Sequence, residues 1–203
     1  MDEEWRTLTQ RLRTEAGGSA DFDRLAQTED TGTLAAVLTA PGQPLWAREL
    51  AAFRLGLAGD RRAFESLVLL LNHRDPPRCA AAAHALARLG DPRTARAAAA
   101  LATNELRVAY ALHPVRLLTA LRAPEAVPAL VTTLRRRLRP QDPHHRVALA
   151  CVEGLGELAD PRAEPVLTEA LAHPVLAEAA TRALARIPRP RRAGGHVPGP
   201  RRP

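Results

Sequence analysis

The chain has 203 residues, of which 46% are hydrophobic but only 3% aromatic. That length can bury one sizeable core, and abundant Ala and Leu with few aromatic or β-branched residues favours helix over strand, so the composition reads as all-α. The formal charge of +7 is uneven: residues 188–203 hold Arg189, Arg191, Arg192, Arg201 and Arg202 and no acid, leaving 24 arginines against 22 acids elsewhere. There is no lysine and one isoleucine, a bias that GC-rich coding explains as well as phosphate binding does.

Residues 1–16, closed by Gly17-Gly18, set Trp5, Leu8 and Leu12 at helical spacing. They predict an amphipathic helix that caps the exposed core of the first repeat. The acidic start Met1-Asp2-Glu3-Glu4 is the reverse of a signal peptide, and no apolar run approaches a membrane span. Cys79 and Cys151 fall on helices two repeats apart. With neighbouring helices about 8–10 Å apart, that separation exceeds a disulfide. The expectation is a reduced, cytoplasmic chain with no membrane partner.

From residue 25 one signal recurs six times: a leucine (Leu25, Leu55, Leu86, Leu118, Leu155, Leu184) followed five residues later by a helix start. The starts are Asp30, Asp60, Asp91, Ala123, Asp160 and Arg189, spaced by 30, 31, 32, 37 and 29 residues. Such a period marks a solenoid, in which each unit stacks only on its neighbours. Asp stands at four of the starts, and proline follows at 92, 124, 161 and 190. Asp at N-cap with Pro next is a favoured helix opening, because the carboxylate accepts orphan amides and proline lacks a donor where none is needed. Four residues on stand Leu34, Phe64, Ala95, Val127 and Glu164; seven on stand Val37, Leu67, Ala98, Leu130 and Leu167. One apolar stripe therefore marks a short first helix in each unit.

Four residues before each start the chain is always small: Ala26, Gly56, Ala87, Thr119, Gly156 and Ala185. A small residue beside the leucine anchor lets second helices interlock at close range. Seven before stand Asp23, Phe53, His84, Arg116, Glu153 and Arg182, and three before stand Gln27, Leu57, Arg88, Ala120, Glu157 and Arg186. These two columns share a helix face and escape the apolar rule. They predict one continuous solvent-facing surface, on which a ligand is sought.

Two irregularities interrupt the period. In the third unit, the first helix Thr94 to Ala102 is nearly all alanine and arginine, and His113-Pro114 should kink or break the second helix near 109–112. The 37-residue spacing holds an insertion, Arg135 to Arg146, containing Arg135, Arg136, Arg137, Arg139, His144 and His145. It reads either as a solvated helix end whose cations complement the dipole or as a basic anion-binding loop. Adjacent histidines lack metal-ligand spacing, and no metal is expected. The Pro-, Gly- and Arg-rich tail from 188 reads as disordered, and either contacts nucleic acid or only solubilises.

Ala85-Leu-Ala-Arg-Leu-Gly-Asp-Pro-Arg93 and Gly154-Leu-Gly-Glu-Leu-Ala-Asp-Pro-Arg162 resemble the short HEAT-type repeat also found in phycobilin lyases. The resemblance spans about residues 20–190 and implies a right-handed α-solenoid of five to six helix pairs over 1–187, second helices lining the concave face. It implies little about function, since the family includes lyases, hydroxylases, DNA glycosylases and pure scaffolds.

No P-loop, GxGxxG, GxSxG or HExxH pattern occurs, and the di-iron hydroxylases of this type use His-Glu pairs that the chain lacks. No catalytic residue, cofactor or metal is therefore expected. The first reading is a non-catalytic scaffold or adaptor that binds an acidic or mixed-charge segment of a partner protein through His84, Arg88, Arg116, Glu153, Glu157, Arg182 and Arg186. In the same face, Glu153 and Glu157 read equally as a charge ladder with those arginines. The second reading is nucleic-acid binding through Arg135, Arg136, Arg137, Arg139 and the tail; the third is a tetrapyrrole lyase-like activity.

Overall fold

The structure is a computed structural model and describes residues 3–139 and 141–188. The tail read as disordered lies, from 189 on, outside the described residues. Twelve α-helices and no strand occur among the described residues: α1 (Glu3–Glu15), α2 (Ala20–Gln27), α3 (Thr31–Thr39), α4 (Leu45–Leu57), α5 (Phe64–Leu71), α6 (Pro76–Leu89), α7 (Thr94–Ala102), α8 (Leu112–Leu121), α9 (Ala126–Arg137), α10 (His145–Leu158), α11 (Glu164–Ala170) and α12 (Ala177–Arg186). Five antiparallel pairs result, α3/α4, α5/α6, α7/α8, α9/α10 and α11/α12, with α2 as an unpaired second helix at the start. Second helices touch in the order α2, α4, α6, α8, α10, α12, and first helices from α5 to α11 touch in parallel with them. The fold is an all-α HEAT-like repeat solenoid. No described helix is long and apolar enough to cross a membrane.

The anchor leucines sit in the layer between first and second helices. Leu55, Leu86, Leu118 and Leu155 are fully buried, Leu25 nearly so and Leu184 half-buried. The apolar stripe of the first helices is buried at Leu34, Phe64, Ala95 and Val127, and Leu67, Ala98, Leu130 and Leu167. Glu164 breaks the stripe and is exposed, while Val166 takes the core position beside it.

Each joint is closed by the aspartate and by the arginine two residues on. The Asp60, Asp91 and Asp160 carboxylates accept the backbone amides of Arg62, Arg93 and Arg162 at 2.8–3.0 Å. The same three guanidinium groups return as forks onto both carboxylate oxygens. Those side-chain hydrogen bonds hold the three carboxyls below the usual aspartate range. Asp30 lacks the arginine and instead accepts from Thr33 and Gly32. The joint arginines also clip onto the preceding unit: Arg62 donates to the Thr31 carbonyl at 3.1 Å, and Arg93 lies 3.9 Å above the Phe64 ring. Just before the starts, Gly59, Gly90, Arg122 and Ala159 take left-handed φ values of 77°, 64°, 51° and 52°. That conformation ends α4, α6, α8 and α10 and turns the chain into the joint.

Successive second helices meet where a small residue four before one start faces the position six before the next. A Cβ on Gly56 would lie 3.0 Å from Ala85 Cβ, and one on Gly156 would lie 2.8 Å from both Cα and Cβ of Ala183. Between α8 and α10 the sizes swap, and a Cβ on Gly154 would come 2.2 Å from the Thr119 hydroxyl. At the first interface Arg54 takes this place and donates to the Ala26 and Thr28 carbonyls, closing the end of α2. The small column is not a contact everywhere, since Ala87 and Ala185 are exposed.

The helix expected to cap the first repeat lies elsewhere. α1 packs across the second helices α4 and α6, and its Arg13 reaches α2 through Asp23 and the Phe22 ring. Trp5 meets Phe53 edge-on at 6.3 Å between centroids. Phe53, assigned from its column to the solvent face, is therefore completely buried. Apolar Trp5, Leu8 and Leu12 needed cover, and the only aromatic in the solvent-facing columns supplied it.

Two substitutions test this packing in urea titrations. Gly156→Ala is expected to lower the unfolding free energy by about 1–3 kcal/mol through overpacking. Ala159→Gly, which relieves a left-handed side-chain residue, is expected to raise it by about 0.5–1 kcal/mol.

Candidate functional site

The second-helix face has three regions. The first is covered by α1. There Arg78 of α6 sits at the centre of an ion cluster, donating to Glu49 of α4 at 2.8 Å, to Glu15 of α1 at 2.6 Å and to Asp75 at 3.2 Å. Asp75 also takes Arg11 of α1. Burial raises the Glu49 carboxyl above its usual range against the pull of Arg78. Burial also acts to discharge Arg78, but its hydrogen bonds to Glu49 and Glu15 overcome that and keep it charged. Two acids and a buried glutamate thus clamp α1 through one guanidinium.

The second region is a cavity of about 460 Å³ at the N-terminal ends of α6, α8 and α10. Its physical origin is a missing turn: α8 has 10 residues where α6 and α10 have 14. At 1.5 Å per residue that leaves a gap of about 6 Å. The helix does break where His113-Pro114 predicts: residues Glu105–Tyr110 form a 3₁₀ stretch, and Pro114 lies in the first turn of α8. The insertion within the 37-residue spacing closes the other side, through His144, His145 and Arg146. Arg74, Tyr110, His113 and Arg116 complete the polar rim, over a floor that includes Pro76, Pro77 and Val147. No acidic residue lines it among the described residues. The Tyr110 ring is held by the Arg107 guanidinium at 4.9 Å, itself anchored on the Asn72 carbonyl.

Cys79 lies at this cavity, but its thiol donates to the His73 carbonyl at 2.9 Å. Burial, then the charge of Asp75, push it up to about 11, so it stays protonated at neutral pH and is a poor nucleophile. Cys151 is raised by burial too, and both thiols are free.

The third region is a cleft of about 200 Å³ between α10 and α12. Glu153, Glu157, Arg182 and Arg186, chosen from their columns alone, all line it. The ladder envisaged between them is not what forms: Arg182 pairs with Glu178 in its own helix. Glu153, Glu157 and Arg186 have no ion-pair partner among the described residues. His84 and Arg88 are exposed on α6 and line neither cavity, whereas Arg116 belongs to the central one.

The basic-loop reading of the insertion needs correcting. Arg135, Arg136 and Arg137 form the last turn of α9, where cations complement the helix dipole. Arg136 donates to the Thr103 carbonyl at 2.7 Å and pairs with Glu105 at 3.2 Å, and Arg137 pairs with Asp142 at 2.9 Å. Only Arg139 of the four lies beyond the helix.

Sequence reasoning missed Arg74, Tyr110, His113 and Arg146 as neighbours. A signal was present: the proline break and the insertion both fall at the N-terminal side of adjacent second helices, so both irregularities open onto one place.

The clamp yields a test. Arg78→Ala is expected to cost about 2–3 kcal/mol in urea unfolding, because it strands a buried Glu49, and Glu49→Leu with Arg78→Met is expected to recover most of that loss.

Residues 147–173, which run from α10 through the Asp160 joint and α11, match the family model of the PBS lyase HEAT-like repeat. Comparison with curated proteins finds no match. The matched segment contains Gly156, the Asp160-Pro161-Arg162 joint and the leucine anchor Leu155, the same features that recur along the stack. Residues 147–173 are thus similar to a PBS lyase HEAT-like repeat, within a chain whose fold is an all-α HEAT-like repeat solenoid.

Proposed function

We propose that this repeat scaffold acts without catalysis, as an adaptor that holds an acidic or mixed-charge segment of a partner protein on its second-helix face beyond α1. The observation that carries the reading is α1 itself. The same face already holds an amphipathic helix, through an aromatic contact with Phe53 and ion pairs of Arg11 and Glu15 with Asp75 and Arg78. Farther along, the same two columns are exposed at His84 and exposed and charged at Arg88, Arg116, Glu153, Glu157, Arg182 and Arg186. A rigid stack that fixes these groups in register offers a ready surface for a complementary segment. Nucleic-acid binding through the insertion is weakened as a reading, since Arg136 and Arg137 are committed to protein groups.

The test is affinity capture from nuclease-treated native lysate with the full chain, a chain ending at Ile187, and an Arg88→Glu/Arg116→Glu/Arg182→Glu variant. A discrete protein is expected with the first two and reduced at least about tenfold with the third. Equal capture by the charge-reversed variant, or recovery only of proteins lost on nuclease treatment or tail removal, would overturn the proposal.

A further inference from the structure

The central cavity differs in kind from the rest of the face. In the joints and in the Arg78 cluster the arginines are matched by acids. Here Arg74, Arg116 and Arg146 converge with three histidines and have no carboxylate partner among the described residues, while Arg137 nearby is neutralised by Asp142. α6, α8 and α10 all begin at the cavity, and none has a side-chain cap hydrogen bond at its N-terminus. Asp75 at the α6 N-cap and Pro76, Pro77 and Pro114 offset the charge or remove amides at the starts of α6 and α8. The start of α10 is therefore the helix end that adds to the guanidinium charge. The volume of about 460 Å³ falls in the range of small-ligand sites, about 300–1,000 Å³. Tyr110, Leu112, Pro77 and Val147 give it an apolar wall.

We propose that this cavity is a binding site for a small organic phosphate, its phosphoryl group held by Arg74, Arg116 and Arg146 and its apolar body against Tyr110. Phosphate suits the site better than a lone carboxylate, because several guanidinium forks can share its oxygens and a dianion answers the accumulated positive charge. The cavity sits in the middle of the stack, where a bound ligand bridges pairs two, three and four. The inference does not rest on the protein-partner reading, and the variants below separate the two.

The experiment is calorimetric titration of the full chain with phenyl phosphate and, separately, with inorganic phosphate. Saturable one-to-one binding of phenyl phosphate is expected, with inorganic phosphate at least about tenfold weaker. Arg74→Gln/Arg146→Gln, both exposed positions outside the protein-partner set, is expected to weaken phenyl phosphate at least about tenfold. Arg88→Glu/Arg182→Glu, outside the cavity, is expected to leave it unchanged. No saturation by about 10 mM, equal affinity for inorganic phosphate, or retention of binding in the Arg74/Arg146 variant with native circular dichroism would overturn the proposal.

Discussion

Everything on the second-helix face depends on how closely one second helix approaches the next. At Gly156 there is no room for a methyl group against Ala183, and at Gly154 none against Thr119. Contacts so close fix the rotation of each helix about its axis, because only one side presents a small enough surface. Once rotation is fixed, the columns seven and three before each start must emerge together on the outer side. The exposed, charged face is thus a consequence of packing at its neighbours, four and six before the start.

The same logic explains where the arginines go. Arg62, Arg93 and Arg162 close joints; Arg54, Arg107 and Arg136 occupy carbonyls at helix ends; Arg78 is clamped among acids. In a lysine-free chain the guanidinium fork does work that a point charge would do poorly, since the joints need a backbone amide and a planar pair of donors on one carboxylate. A large formal charge therefore says little about partners until these arginines are set aside. Among the arginines not so used are Arg74, Arg116 and Arg146 at the cavity, Arg88 on α6 and Arg186 on α12.

Much of this was legible in the sequence. The period, the Asp joints, the leucine anchors and the α7 boundaries at Thr94 and Ala102 follow from local chemistry, which repeats because each unit sees only its neighbours. The cleft residues Glu153, Glu157, Arg182 and Arg186 follow too, since helical spacing and register suffice to place them together. What escaped was non-local. Phe53 obeys its column but is covered by a helix some forty residues earlier in the chain, and no periodicity announces that. The pairing of Gly154 with Thr119 was hidden because sizes trade across an interface, so neither column alone looks constrained. Tyr110 and Arg146 line one cavity because α8 is a turn short, a fact of length difference between neighbouring units.

The central claim is that the second-helix face is the working surface, and photo-crosslinking inside cells tests it most directly. A benzophenone side chain would be placed in turn at Arg88 and Arg186 on that face, and at Arg96 and Glu169 on the first helices, all exposed. The account predicts discrete adducts from Arg88 and Arg186 and none from the other two. Adducts only from Arg96 or Glu169 would contradict it and move function to the opposite side of the stack.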